Sequence, residues 1–162
     1  MDDIVGCGVL CVCLYSITKG GHMDSTKVTQ RPFTEVFNIT HKSTQWKRSS
    51  ERYVYIGRPT FWGNYFTQHK WIDNPDLIIV GSVEAAVQAH KDWLYGNAYT
   101  SFKQRERINV LEELPSLVGK RLGCYCYPKP CHGNTFVQML ANGYNIEVKG
   151  KRFIWEGPNH GT

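Results

Sequence analysis

The stretch GKRLGCYCYPKPCHGNTFVQMLANG, residues 119–143, contains one whole strand, loop and helix unit. Arg121 to Cys126 predicts a buried strand in which Cys124 and Cys126 share one face while Tyr125 points to the other. Tyr127 to Pro130 predicts a turn, because Pro128 and Pro130 fix φ and stiffen the loop. From His132 to Ala141 the spacing of Phe136, Met139 and Leu140 predicts a helix with an inward apolar face, ended by Gly143. The loop therefore delivers Cys131 and His132 to a helix N-terminus.

Working outward, EVFNI (35–39) alternates apolar and polar residues and predicts a first strand with Asn38 near its end. YVYI (53–56) is β-branched and aromatic and is cut off by Gly57-Arg58-Pro59, which predicts a second strand with a sharp exit. Residues 59–76 are aromatic, polar and turn-rich, the composition of an ordered loop packed by its own rings. Ser82 is an N-cap for a helix carrying Val83, Ala86, Val87, His90, Trp93 and Leu94 at helical spacing and ending near Gly96. A second amphipathic stretch, with Ile108, Leu111 and Leu114, stops at Pro115. Tyr144 to Trp155 alternates around Gly150 as a terminal hairpin would.

Strands interleaved with helices predict an α/β domain with a mainly parallel sheet, because parallel neighbours need crossover connections. The expected architecture is a small Rossmann-like three-layer domain. Ligands on such sheets bind beyond the C-terminal strand edge, where the Gly57-Arg58-Pro59 exit and the cysteine loop both fall.

A length of 162 residues fits one domain, and 41% hydrophobic with 20% charged residues argues against a disordered chain. No run of about 18 uncharged apolar residues is present, which excludes a membrane-spanning helix and a membrane partner of that kind. The net charge of +5 attracts anions without forming the concentrated basic stripe of a dedicated nucleic-acid binder. The groups Lys42, Lys47, Arg48, Arg52 and Lys103, Arg105, Arg107 are expected to be solvated loop and helix faces.

Residues 4–14, IVGCGVLCVCL, are apolar, but Asp2 and Asp3 give the wrong flank for a secretion signal. Lys19-Gly20-Gly21-His22-Met23 can be encoded by a purine-rich ribosome-binding sequence just before an ATG. The expectation is that translation starts at Met23, that residues 1–22 are leader or a disordered extension, and that residues 23–162 form the domain of a bacterial or phage cytoplasmic protein. Cys124, Cys126 and Cys131 then remain, an odd and tight group that is no disulfide framework and suits a metal or thiol site in a reducing compartment.

Within this group Cys131 is the first candidate nucleophile, because a helix N-terminus lowers a thiol's pKa, with Cys126 beside it and His132 as base or anion holder. Zinc is the lesser alternative and no residue is assigned to a metal: the spacing lacks a Cys-x2-Cys knuckle, and adjacent Cys131 and His132 reach one tetrahedral ion with difficulty. A redox pair is weaker still, since sulfurs two residues apart on one strand are too distant to bridge. A third reading makes Cys124 a small core residue and His132 a hydrogen-bonded cap. In YIGRPTFWGNYF (55–66), Gly57 permits a tight turn, Arg58 is a fixed cation able to grip phosphate or carboxylate, and Gly63-Asn64 offers a second turn open to a ligand; Trp62 and Phe66 read as core.

Taken in order, YIGRP, WGN, a helix opening VGSVEAA and GKRLGCYCYPKPCHG resemble the bacterial and phage family called domain of unknown function 4326, from about Thr34 to Asn142. Tyr65 stands where that pattern usually has proline after Gly-Asn. The cysteine followed by a Cys-His pair is also similar to another family with a Rossmann-like core, an analogy of architecture. The expectation is a pocket lined by Asn38, Gly57, Arg58, Gly63, Asn64, Cys126, Cys131 and His132 that takes an anionic, nucleotide-like small molecule. The alternatives are a ligand sensor without turnover, a nucleic-acid or host-interaction protein, and a structural zinc domain.

Overall fold

The computed structural model describes residues 33–40 and 51–158. The expectations for residues 1–22 and for Lys42, Lys47 and Arg48 lie outside them. Among the described residues the architecture is mixed α/β, with three α-helices and mostly parallel strands.

Strand β5 (Arg121–Cys124) is the centre of the main sheet, flanked by β1 (Glu35–Asn38) and β2 (Tyr53–Tyr55), both parallel to it. Val36 and Val54 both lie opposite Leu122, so three buried branched side chains cross the sheet in one row. Because all three strands run the same way, their C-terminal exits at Asn38, Tyr55 and Cys124 open on one edge. β5 stops at Cys124 instead of continuing to Cys126, and the chain bends through Tyr125 and Cys126. The one-strand placement of the two cysteines is thereby corrected.

Helix α1 (Val83–Tyr95) begins on Ser82, whose Oγ accepts the Ala85 amide at 3.1 Å, and ends at Gly96 in the left-handed region, both as the sequence predicts. Helix α2 (Gln104–Glu113) passes into a single 3-10 turn (Leu114–Leu117), Pro115 sitting in its first turn where no amide is needed. Helix α3 (Gly133–Asn142) packs on β1 and on the 3-10 turn, and the hairpin of β6 (Tyr144–Val148) and β7 (Lys151–Trp155) follows it.

The aromatic loop holds a short parallel pair, β3 (Phe66–Thr67) with β4 (Ile78–Ile79), too brief to leave a period in the sequence. Its rings are shared outward as well as among themselves: Phe61 stacks on Trp62, while Phe66 packs on Tyr99 and Phe102, between α1 and α2. Trp62 and Phe66 are core, as expected, and Trp93, Phe136, Leu122 and Ile56 form the driest part of the interior. One basic residue departs from the solvated-face reading. Arg107 is buried, with Nε donating to the Leu94 carbonyl at the end of α1 and Nη1 to Gln104 Oε1.

No helix among the described residues is long and apolar enough to cross a membrane.

Candidate functional site

The shared exit edge of β1, β2 and β5 forms one wall of a cavity of about 640 Å³, closed on the other sides by the start of α1 and by the loop after β3. Tyr55, Phe66, Tyr125 and Tyr127 supply aromatic walls, and Arg58, Lys129 and Cys126 supply polar ones. Of the residues expected from the sequence, Asn38, Gly57, Arg58, Asn64, Cys126 and His132 line it, whereas Gly63 and Cys131 do not.

Two of the loop residues act on the chain itself. Asn38 donates from Nδ2 to the Tyr125 and Tyr127 carbonyls and accepts the Thr40 amide at 2.7 Å, tying the end of β1 to the cysteine loop. Asn64 donates to the Ala86 carbonyl at 3.0 Å and accepts the Phe66 amide, tying the β3 loop to α1. Gly63 is needed for packing: a Cβ there would lie 2.8 Å from Arg58 Cγ and 3.0 Å from its backbone, so its small size makes room for Arg58 instead of a ligand.

Arg58 is held by its backbone. The Tyr55 hydroxyl donates to the Arg58 carbonyl at 2.9 Å, and Thr60 closes the turn on the Gly57 carbonyl through both its amide and its hydroxyl. The guanidinium is exposed and pairs with no carboxylate among the described residues. It is thus a positioned cation that no carboxylate among the described residues neutralises, with the Cys126 sulfur as a neighbour that feels its charge.

The sulfurs of Cys124, Cys126 and Cys131 all lie within 4.8 Å of one another. The bend after Cys124 brings Cys126 back over the strand end, and Pro130 turns the chain so that Cys131 meets both. Cys124 and Cys131 are buried and Cys126 is exposed. The thiols of Cys124 and Cys131 hydrogen-bond the Cys126 sulfur and hold it far below the ordinary thiol range, with the charges of His132 and Arg58 adding to the effect. The same bonds, together with burial, push Cys131 up strongly and Cys124 up to about 11. The helix terminus does act on Cys131 through the Gly133 amide, but its hydrogen bonds to the other thiols and its burial outweigh that. Accessibility and anionic character therefore belong to Cys126, where the sequence pointed to Cys131.

His132 is 3% exposed, and its Nε2 contacts the Ile56 carbonyl at 2.9 Å, which assigns the ring proton to that nitrogen because a carbonyl only accepts. Burial pulls its pKa down, against the Ile56 and Trp62 carbonyls and the Cys126 charge that favour protonation. The helix start does not offer free amides for the expected anion-holding role: the Asn134 and Thr135 amides bond the Cys131 and His132 carbonyls, and the Gly133 amide bonds the Cys131 sulfur. Tyr55 and Tyr125, which meet edge-on at 6.1 Å, are site residues that the sequence reading misses; only their place beside Arg58 and Cys126 in the chain hints at it.

A family model described as Domain of unknown function (DUF4326) matches residues 39–142, well over half of the chain. The protein belongs to the DUF4326 family. The DUF4326 match ends with α3 and contains every cavity-lining residue except Asn38, and it leaves the β6–β7 hairpin outside. A relative, the "Uncharacterized 12.4 kDa protein in nrdA-td intergenic region" of Enterobacteria phage T4, is 34% identical over 96 residues, covering 58% of this chain and 72% of its own. This DUF4326 chain thus has a bacteriophage relative. No solved structure matches it.

Proposed function

We propose that this DUF4326 protein binds an anionic, nucleotide-like small molecule in the cavity at the C-terminal edge of its parallel sheet, with Arg58 gripping the anionic group and the Cys126 sulfur facing the ligand. The observation that carries this reading is the convergence of an arginine with no carboxylate partner among the described residues, an exposed sulfur and four aromatic rings, drawn from separate segments, on one pocket. Aromatic walls suit a base, and a guanidinium suits phosphate in a bidentate grip. A Rossmann-like use of the sheet edge fits this arrangement, and free thiols in close contact suit the reducing cytoplasm of a bacterial or phage-infected cell.

Adenosine monophosphate and inorganic phosphate are the first probes, titrated into the full chain by calorimetry. The reading expects adenosine monophosphate to bind more tightly than phosphate, and Arg58→Ala to weaken it at least about tenfold, or about 1.4 kcal/mol. Iodoacetamide should label Cys126 before Cys124 or Cys131, and the nucleotide should protect it. Equal binding by wild type and Arg58→Ala, or no binding of either probe, removes the proposal.

A further inference from the structure

Three sulfurs brought together from a strand end, a bend and a helix start do more than a single exposed thiol requires. Cys131 is 1% and Cys124 2% exposed, so of the three only Cys126 is open to solvent, although Cys124 also borders the cavity. Their sulfurs point inward at Cys126, and all pairs lie within 4.8 Å. A tetrahedral zinc ion with sulfur at about 2.3 Å needs sulfurs about 3.8 Å apart, so closing the triangle takes a shift of no more than about 1 Å.

We propose that Cys124, Cys126 and Cys131 hold one zinc-type ion whose fourth coordination position opens into the cavity. Burial supports it beyond the sulfur spacing: Cys131 sits within the protein, while Cys124 and Cys126 border the cavity and Cys126 is the exposed one. A structural zinc site is closed by four protein ligands, whereas a site with three leaves a position for water or an anionic ligand. Here His132 does not complete the set, since neither of its ring nitrogens belongs to the group of donor atoms that lie within 4.8 Å of one another. The Cys-x-Cys spacing that disfavours a zinc knuckle on a regular strand is no obstacle once β5 ends at Cys124.

This inference deepens the cavity reading, on which it depends only for what the open position faces. The test uses the full chain in a background where Cys7, Cys11 and Cys13 are serine, so that only the three clustered thiols remain. After incubation with zinc and desalting under reducing conditions, elemental analysis should find about one zinc per chain. Adding Cys126→Ser should lower that ratio at least about tenfold with the circular dichroism spectrum unchanged. Cobalt in place of zinc should give thiolate charge-transfer and intense visible bands, and inorganic phosphate should shift the visible bands if the fourth position is open. Zinc that stays in Cys126→Ser, thiols that remain fully titratable in the presence of zinc, or a Cys126–Cys131 disulfide in anaerobically purified protein would each overturn the ion. Adenosine monophosphate binding by a chain that takes no zinc sinks the ion and leaves the pocket; zinc binding without nucleotide binding does the reverse.

Discussion

Gly133 shows how much of the site depends on one missing methyl group. It is the first residue of α3, and a Cβ there would lie 2.5 Å from Ile56 Cδ1 and 3.0 Å from Val36 Cγ2. The glycine lets the helix start press onto β1 and the end of β2, which is what seats Cys131 against Cys124. Gly133→Ala should lower stability by about 1–3 kcal/mol in urea unfolding and should raise the alkylation rate of Cys131 by loosening the cluster. At Gly81 a Cβ would meet nothing within 4 Å, so Gly81→Ala is the matching control and should cost little. The importance of the Pro-Cys-His-Gly run was legible in the sequence, but the reason for its glycine was not, because Ile56 and Val36 lie far away along the chain.

At the scale of elements, α1 carries two caps of different legibility. Ser82 was plain from local chemistry, and Ser82→Ala should cost about 1 kcal/mol. The other end relies on Arg107, thirteen residues beyond Leu94, whose carbonyl it bonds at 3.1 Å. A cation there meets the negative end of the helix dipole, but burial lowers the guanidinium's pKa, and Nη2 is left without a hydrogen-bond partner among the described residues. Arg107→Ala should therefore destabilise by about 2 kcal/mol or more, chiefly by stripping a buried carbonyl of a charged donor. Gly96 has φ +79°, and a Cβ there would lie 2.6 Å from Arg107 Nη2. Gly96→Ala should be harmful in wild type and less so in the Arg107→Ala background, a coupling that a double-mutant cycle in urea measures directly. Sequence pattern placed Arg107 among solvated basic residues because it has no means of showing that a charged side chain turns inward to a neighbouring helix.

For the whole molecule, the contact between α1 and α3 sets a dependence on pH. His90 of α1 is buried against Trp93 and Phe136, with the His132 ring 5.2 Å away, and burial followed by the His132 charge pulls its pKa well below the ordinary histidine value of 6.5. The folded state thus keeps His90 neutral where the unfolded chain takes up a proton. Its contribution is complete above about pH 6.5 and declines as pH falls below that, at up to about 1.4 kcal/mol per pH unit for one proton. Urea midpoints should fall between pH 7 and 5.5, and His90→Gln should flatten that slope; an unchanged slope would show that His90 is not the group responsible. The sequence by itself determined the three strands of the main sheet, the helices and the terminal hairpin, where α1 begins and ends, and that three cysteines and an arginine turn stand near strand exits, because periodicity, caps and proline are local properties; the β3–β4 pair is too brief to leave such a pattern. Only the tertiary structure decided that β5 lies between β1 and β2, that Cys126 and not Cys131 faces the cavity, that Asn38, Asn64 and Gly63 serve the loops, and that three sulfurs converge. Those outcomes depend on which side chain is shielded by residues distant in the chain, and burial of that kind leaves no trace in spacing.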